Sequence, residues 1–165
     1  MDADPQQGLR WIKEFGGDAL SAYAVNSGPS SLTYRELAAM AERFWDGCAA
    51  TGASVVPTVT TGWDRRPRVE RPVFWERWQE PGVGLDRYAQ AGQPVEIADH
   101  LDRAVAWVRR KPDVATAQLI LIYAWNEFDE GGWLSPTLAE GDARLRAIRR
   151  VLAPAPASQP MVPAR

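Results

Sequence analysis

The densest chemistry in the sequence lies in Trp125-Asn126-Glu127-Phe128-Asp129-Glu130-Gly131-Gly132, where three acids and an amide follow the most apolar run of the chain, residues 119–125. Carboxylates crowded beside Trp125 and Phe128 lose hydration and repel one another, so one of them is expected to hold a proton near neutral pH while another stays charged. A protonated and an ionised acid side by side are what glycoside hydrolysis uses. The same composition fits a polar turn whose acids are simply solvated. Trp63 and Trp125 are candidates to stack on sugar rings, Asp64 and Asn126 to bond hydroxyls, and Trp133 to line a cleft rim. Each tryptophan also suits plain packing with its N–H satisfied, and Arg65 and Arg68 suit ion pairs that hold a loop down. Tyr123 reads as core, Cys48 as a small apolar filler and His100 as an exposed residue at the start of a helix.

Composition narrows the chemistry further. With 19 basic and 21 acidic residues among 165, a net charge of -2 and no basic stripe, no nucleic-acid or anionic-membrane partner is expected. One cysteine excludes an intrachain disulfide, and one histidine excludes a His-rich zinc constellation; no cofactor is expected. Residues 119–125 are followed too soon by Asn126, Glu127 and Asp129 to span a membrane. The opening Met-Asp-Ala-Asp-Pro-Gln-Gln lacks the basic and apolar regions of a secretory signal, and the chain as given is expected in the cytoplasm.

The elements that must position these residues follow from periodicity. Residues 5–15 form a short helix stopped by Gly16-Gly17, and 19–25 read as a strand. Thr33 and Glu36 make a capping box for a helix over 33–49, on which Tyr34, Leu37, Met40, Ala41 and Phe44 share a face. The β-branched run 54–61 is a second strand with Pro57 as its weak point. Between 62 and 92 periodicity fails, and Trp63, Phe74, Trp75 and Trp78 argue for an ordered, functional loop. Ile97, Leu101, Ala104, Val105 and Val108 mark another helix. Residues 118–124 form the most apolar strand, expected to be buried on both faces, and Leu145, Ile148, Val151 and Leu152 a last helix. The Pro/Ala-rich tail 153–165 is expected to be disordered, which leaves 1–152 as the folded domain. Strand and helix alternating three times predict an α/β protein with a parallel sheet. Three strands leave unpaired edges, so the chain is expected to be part of something larger.

Two segments carry a resemblance. Ile122-Tyr123-Ala124-Trp125-Asn126-Glu127-Phe128-Asp129-Glu130-Gly131 resembles the WNE-x-x-EG signature of the glycoside hydrolase family 99-like, or WbsX-like, barrels. Pro57-Thr58-Val59-Thr60-Thr61-Gly62-Trp63-Asp64-Arg65-Arg66-Pro67-Arg68 resembles that family's P-x-x-x-x-GWD-x-x-PR strand and loop. Both stand in family order, and residues 19–152 look like the last three β/α units of a (β/α)8 TIM barrel, whose full length is about 250 residues. Phe128 and Asp129 fill the variable pair of the signature differently from the endo-mannosidase branch. The resemblance implies a carbohydrate substrate, a polysaccharide or glycan, hydrolysed with retention and without metal. It also implies that Glu127 assists attack by the sugar's own 2-hydroxyl, giving a 1,2-anhydro sugar, while Glu130 acts as general acid and then base. Trp63, Asp64, Trp125, Asn126 and Trp133 would hold the substrate. Missing strands imply self-association or a complementing half-barrel. The alternatives are a non-catalytic module for carbohydrate binding or polysaccharide biosynthesis, and an inactive truncated fragment.

Overall fold

The computed structural model describes residues 4–25, 31–74 and 85–153. The tail expected to be disordered, from 154 on, and the loop tryptophans Trp75 and Trp78 lie outside these residues.

Helix α1, Pro5–Phe15, begins where the Asp4 carboxylate accepts from the Gln6 N–H at 2.9 Å, and ends at Gly16 in the left-handed region, φ 74°. Helix α2, Tyr34–Ala49, starts at the capping box that Thr33 and Glu36 predict, with both reciprocal bonds made. Its inner face is Tyr34, Leu37, Ala38, Ala41, Trp45 and Cys48. Cys48 is the buried filler expected, and burial pushes its thiol up to about 11. Helix α4, Pro94–Arg110, begins three residues earlier than Ile97, because Gln93 and Glu96 form a second capping box with Pro94 at the first helical position. A short helix α3, Arg66–Glu70, interrupts the long loop, and α5, Ala143–Leu152, packs against α4.

The sheet is shorter than the sequence suggests. Strands β1, Thr58–Thr60, and β2, Leu121–Tyr123, pair in parallel with Thr58 opposite Leu121 and Thr60 opposite Tyr123. The strand expected over 19–25 contracts to one parallel bridge, Leu20 to Val55, with bonds from Leu20 N–H to Ser54 and from Val56 N–H to Leu20. Beyond it, side chains replace the backbone ladder: Ser21 Oγ donates to the Val56 carbonyl at 2.8 Å and Thr58 Oγ1 to the Ala22 carbonyl at 2.6 Å. The order along the sheet is therefore Leu20 segment, β1, β2, with α2 and then α4 as the connections. This is an α/β arrangement with a parallel sheet, as composition and periodicity predict.

Two expectations fail. Strand β2 is not buried on both faces, since Leu121 is 43% exposed and only Tyr123 is buried. Apolarity predicts cover, but among the described residues no strand pairs the outer edge of β2. His100 is not exposed at a helix start; it sits inside α4 with no accessible surface. It stands three residues after Ile97 and four before Ala104, which puts it on the buried stripe with them and Leu101. Its ring stacks on Trp45, centroids 5.3 Å apart and planes at 12°. Tyr34 donates its hydroxyl to the Thr60 carbonyl at 2.7 Å and lies 3.4 Å from His100 Nδ1. Burial, and then the charge of Arg103, push the imidazole down to about 3, so it is neutral. No helix among the described residues is long and apolar enough to cross a membrane.

Candidate functional site

The chain leaves β2 through a cis peptide bond between Tyr123 and Ala124 and folds into a hairpin, β3 (Asn126–Glu127) and β4 (Gly132–Trp133), closed by a 3-10 turn over Phe128–Glu130. This hairpin lies at the carboxyl end of the sheet, where parallel α/β folds bind their ligands. The loop after β1 comes up against it. Thr61 Oγ1 donates to the Tyr123 carbonyl at 2.7 Å, and the Asp64 N–H donates to the Glu130 carbonyl at 2.7 Å. So close an approach needs glycine: a Cβ on Gly131, φ 73°, would collide with the Asp64 backbone, and one on Gly62 would collide with the Gly131 carbonyl. From the other side α5 holds the hairpin, as the buried Arg144 lies 3.9 Å over the Trp133 ring and donates to its carbonyl at 3.0 Å.

Pinned in this way, the three acids converge on one cation. Arg68, whose side chain is 12% exposed, reaches from α3 into the hairpin. Its Nε donates to Asp129 at 2.8 Å, its Nη2 lies 3.4 Å from Asp129 and 3.5 Å from Glu127, and its Nη1 donates to Glu130 Oε1. Glu130, buried, also accepts from the Tyr123 hydroxyl at 2.5 Å, with Arg65 Nε 3.9 Å away. The hydrogen bond from Arg68 holds Asp129 below the usual carboxylate range against its partial burial. Burial and the bond to Glu130 push the Tyr123 phenol far up, so it stays protonated and donates. Tyr23 donates its hydroxyl to Glu127; burial and that bond raise it to about 12. Its ring meets Tyr123 edge-on with centroids 5.0 Å apart.

Glu127 and Glu130, the predicted pair, are thus brought together through Arg68, but they face differently. Glu127, its side chain 33% exposed, lines a groove of about 280 Å³ with Tyr23, Thr58, Ile122, Trp125 and Asn126, while Glu130 is buried and does not line it. Trp125 is 56% exposed at this groove and Asn126 is beside it. The remaining candidates are engaged elsewhere. Trp63 is half-buried and tilted against Tyr123 at 5.7 Å. Asp64 forms a local pair with Arg66, with contacts of 2.6 to 3.1 Å; burial raises its carboxyl, but the bonds from Arg66 outweigh this and hold it low. Trp133 packs between Arg144 and Phe128 with its indole N–H buried and without an acceptor among the described residues. Among the described residues no group of acids, histidines or cysteines is arranged to hold a metal ion.

Arg68 makes the loop-anchoring ion pairs expected of it. Two further residues of the site are not legible as such, since Tyr123 reads as core and Tyr23 sits in a segment that reads simply as strand. The one signal the sequence carries is Arg68 itself, the last of three arginines in the GWD-x-x-PR segment. Compared with protein-family models, with curated proteins and with solved structures, the chain matches none.

Proposed function

We propose that the chain is the C-terminal part of a (β/α)8 barrel of the glycoside hydrolase family 99-like, WbsX-like kind, acting on polysaccharide or glycan linkages through Glu127 and Glu130. One observation carries the reading: Arg68, the last residue of the first motif, bonds every acid of the second. Two segments chosen by resemblance, with a helix between them, meet at one guanidinium. The parallel, singly wound order of the Leu20 segment, β1 and β2 supports the barrel, since consecutive parallel neighbours joined by helices are its repeating unit. In this reading Glu127, at the groove, assists the sugar's 2-hydroxyl, and Glu130 exchanges the leaving-group proton. Tyr123 and Arg68 orient Glu130, and Trp125 and Asn126 hold the sugar.

The reading is tested by comparing Glu127→Gln, Glu130→Gln and Asp129→Asn on a glycan with a poor leaving group and on an activated aryl glycoside. Loss of the proton donor at Glu130 lowers turnover of the glycan by about 10²–10⁴ and partly spares the aryl glycoside. Glu127→Gln depresses both, because ring closure is needed whatever leaves, and Asp129→Asn matters least. Equal losses in all three would make the acids a structural cluster. The burial of Glu130, with its oxygens taken by Tyr123 and Arg68, favours a second reading, a carbohydrate-binding module without turnover; glycan binding with no hydrolysis by the wild type selects it.

The barrel reading also has a test in assembly. Leu119, two residues before β2, and Leu121, its first residue, are 51% and 43% exposed, and Trp11 and Phe15 of α1 are 52% and 79% exposed. Parallel edges and apolar faces of this kind pair with further strands. The purified chain is therefore expected to self-associate, or to bind a complementing half-barrel, in size-exclusion chromatography with light scattering. A compact monomer at high concentration would replace the barrel with a self-contained small α/β fold.

A further inference from the structure

The walls of the groove carry more information than its position. Its polar groups among the described residues are the Glu127 carboxylate, the Asn126 amide, two phenols and the Thr58 hydroxyl, and no lysine, arginine or histidine lines it. Thr58 is committed to the Ala22 carbonyl. The nearby cation, Arg68, is 12% exposed and shared among three carboxylates, and Arg65 lies against Glu130. Recognition of uronates, sulfates or phosphates relies on guanidinium or ammonium groups that meet the ligand's anion directly. Here the group that meets a ligand is itself an anion. Glu127 accepts from Tyr23 and stands 3.5 Å from Arg68, and a carboxylate has about four acceptor sites, so capacity toward the groove remains. Flanking it are the exposed rings of Trp125 and Tyr23, 56% and 67% accessible. A carboxylate with aromatic faces beside it suits an ammonium, which gains from both the charge and the ring quadrupoles.

We infer that the groove takes a cationic glycan, one whose sugar beside Glu127 carries a free, protonated amine. The inference rests on the carbohydrate reading above and narrows it: the apolar face of the sugar lies on Trp125, and the amine, donor only, meets Glu127 and not a hydroxyl partner.

The experiment uses the purified chain and three soluble oligosaccharides: a glucosamine oligomer, its N-acetylated counterpart of equal length, and an oligogalacturonate. Binding is followed by titration calorimetry at a pH that keeps the amines protonated and carboxylates ionised. The glucosamine oligomer is expected to bind about three- to five-fold more tightly than its acetylated form, the scale of one exposed ion pair, and the oligogalacturonate not at all. This preference is expected to vanish in about 1 M salt, where the screening length is about 3 Å. Glu127→Gln brings the ratio to about one while the acetylated oligomer still binds, and Trp125→Ala weakens both alike. Asp102→Asn, which removes an exposed charge from α4, leaves the ratio unchanged and so separates the groove from the chain's overall charge. Equal binding of the two glucosamine forms, tighter binding of the acid oligomer, or a preference that survives Glu127→Gln would overturn the inference and leave a carbohydrate site standing. Binding of none of the three would overturn the carbohydrate reading and this inference with it.

Discussion

Two clusters of buried polar side chains among the described residues treat their charge in opposite ways. On the helix side of β1, His100, Tyr34 and the Thr60 carbonyl form a neutral cluster, in which the imidazole lies flat on Trp45 and has given up its proton. At the carboxyl end of the sheet, Glu130 is also buried, yet Tyr123 donates to it and Arg68 and Arg65 stand beside it. Both clusters contain a buried tyrosine whose hydroxyl donates inward. What differs is access to a counter-charge. Helices α2 and α4 pack their apolar stripes against His100, and the nearest acid, Glu42, stands 3.8 Å from Nε2 and is itself bonded to Arg103. The loop after β1, by contrast, swings a whole guanidinium into the hairpin. Burial without a partner discharges a group; burial with one fixes its charge and its geometry.

The largest effect should come from breaking the charged cluster at its hub. Arg68→Met keeps much of the stem's packing but leaves Glu127, Asp129 and Glu130 facing one another without the guanidinium. Removing one partner of an enclosed pair costs about 3–5 kcal/mol, and urea denaturation at neutral pH should show a loss of that order. Arg68→Lys, a point charge without the fork, should recover only part of it. A loss below about 1 kcal/mol, the worth of a surface pair, would mean that the guanidinium is solvated and the two loops are not joined through it.

The two tyrosines sharpen the same contrast at smaller scale. Tyr123→Phe removes a donor to a carboxylate, a bond worth about 1.5–3 kcal/mol, whereas Tyr34→Phe removes a donor to a backbone carbonyl, worth about 0.5–1.5 kcal/mol. Both rings keep their packing, so the difference between the two losses reports the charge on the acceptor. Equal losses would place a neutral acceptor at Glu130.

How far the sequence foretold this contrast depends on how local each signal is. Capping boxes and apolar stripes are written within one turn of helix, and α1, α2, α4 and α5 are legible to within a few residues. The hairpin's acids are legible as a cluster for the same reason. Strand extent is not, because whether residues 19–25 pair along their length depends on Ser21 and Thr58 taking over bonds that a backbone ladder would otherwise make. His100 reads as exposed from its place near a helix start, although its spacing of three from Ile97 and four from Ala104 puts it on the buried stripe. Arg68 is legible as an ion-pairing residue but its partners are not, because they lie 59 to 62 positions away. A window around the acids contains no cation, so the guanidinium that the fold sets among them is not legible there.

The neutral cluster should betray itself through pH, and the sign follows from which state binds the proton. In the folded chain His100 is held down to about 3, against 6.5 for an unperturbed imidazole. Between those values the unfolded chain takes up a proton that the folded chain refuses, so acidification favours unfolding. The stability that the buried neutral ring contributes is whole above pH 6.5 and is lost as pH falls from there toward 3, at about 1.4 kcal/mol per pH unit once well inside the window. Carboxylates begin to titrate in the lower half of that range, so the clean interval is from about pH 6.5 to 5. His100→Gln keeps a polar side chain of similar reach but does not titrate. The wild type should lose stability over that interval relative to the variant, with the difference narrowing by about 1–2 kcal/mol in denaturant midpoints at matched ionic strength. Parallel profiles would mean that the ring reaches water or a carboxylate, Glu42 at 3.8 Å being the nearest, and takes its proton in the folded state as readily as in the unfolded one. The two buried clusters would then be alike in keeping charge, and the contrast between them would rest on geometry alone.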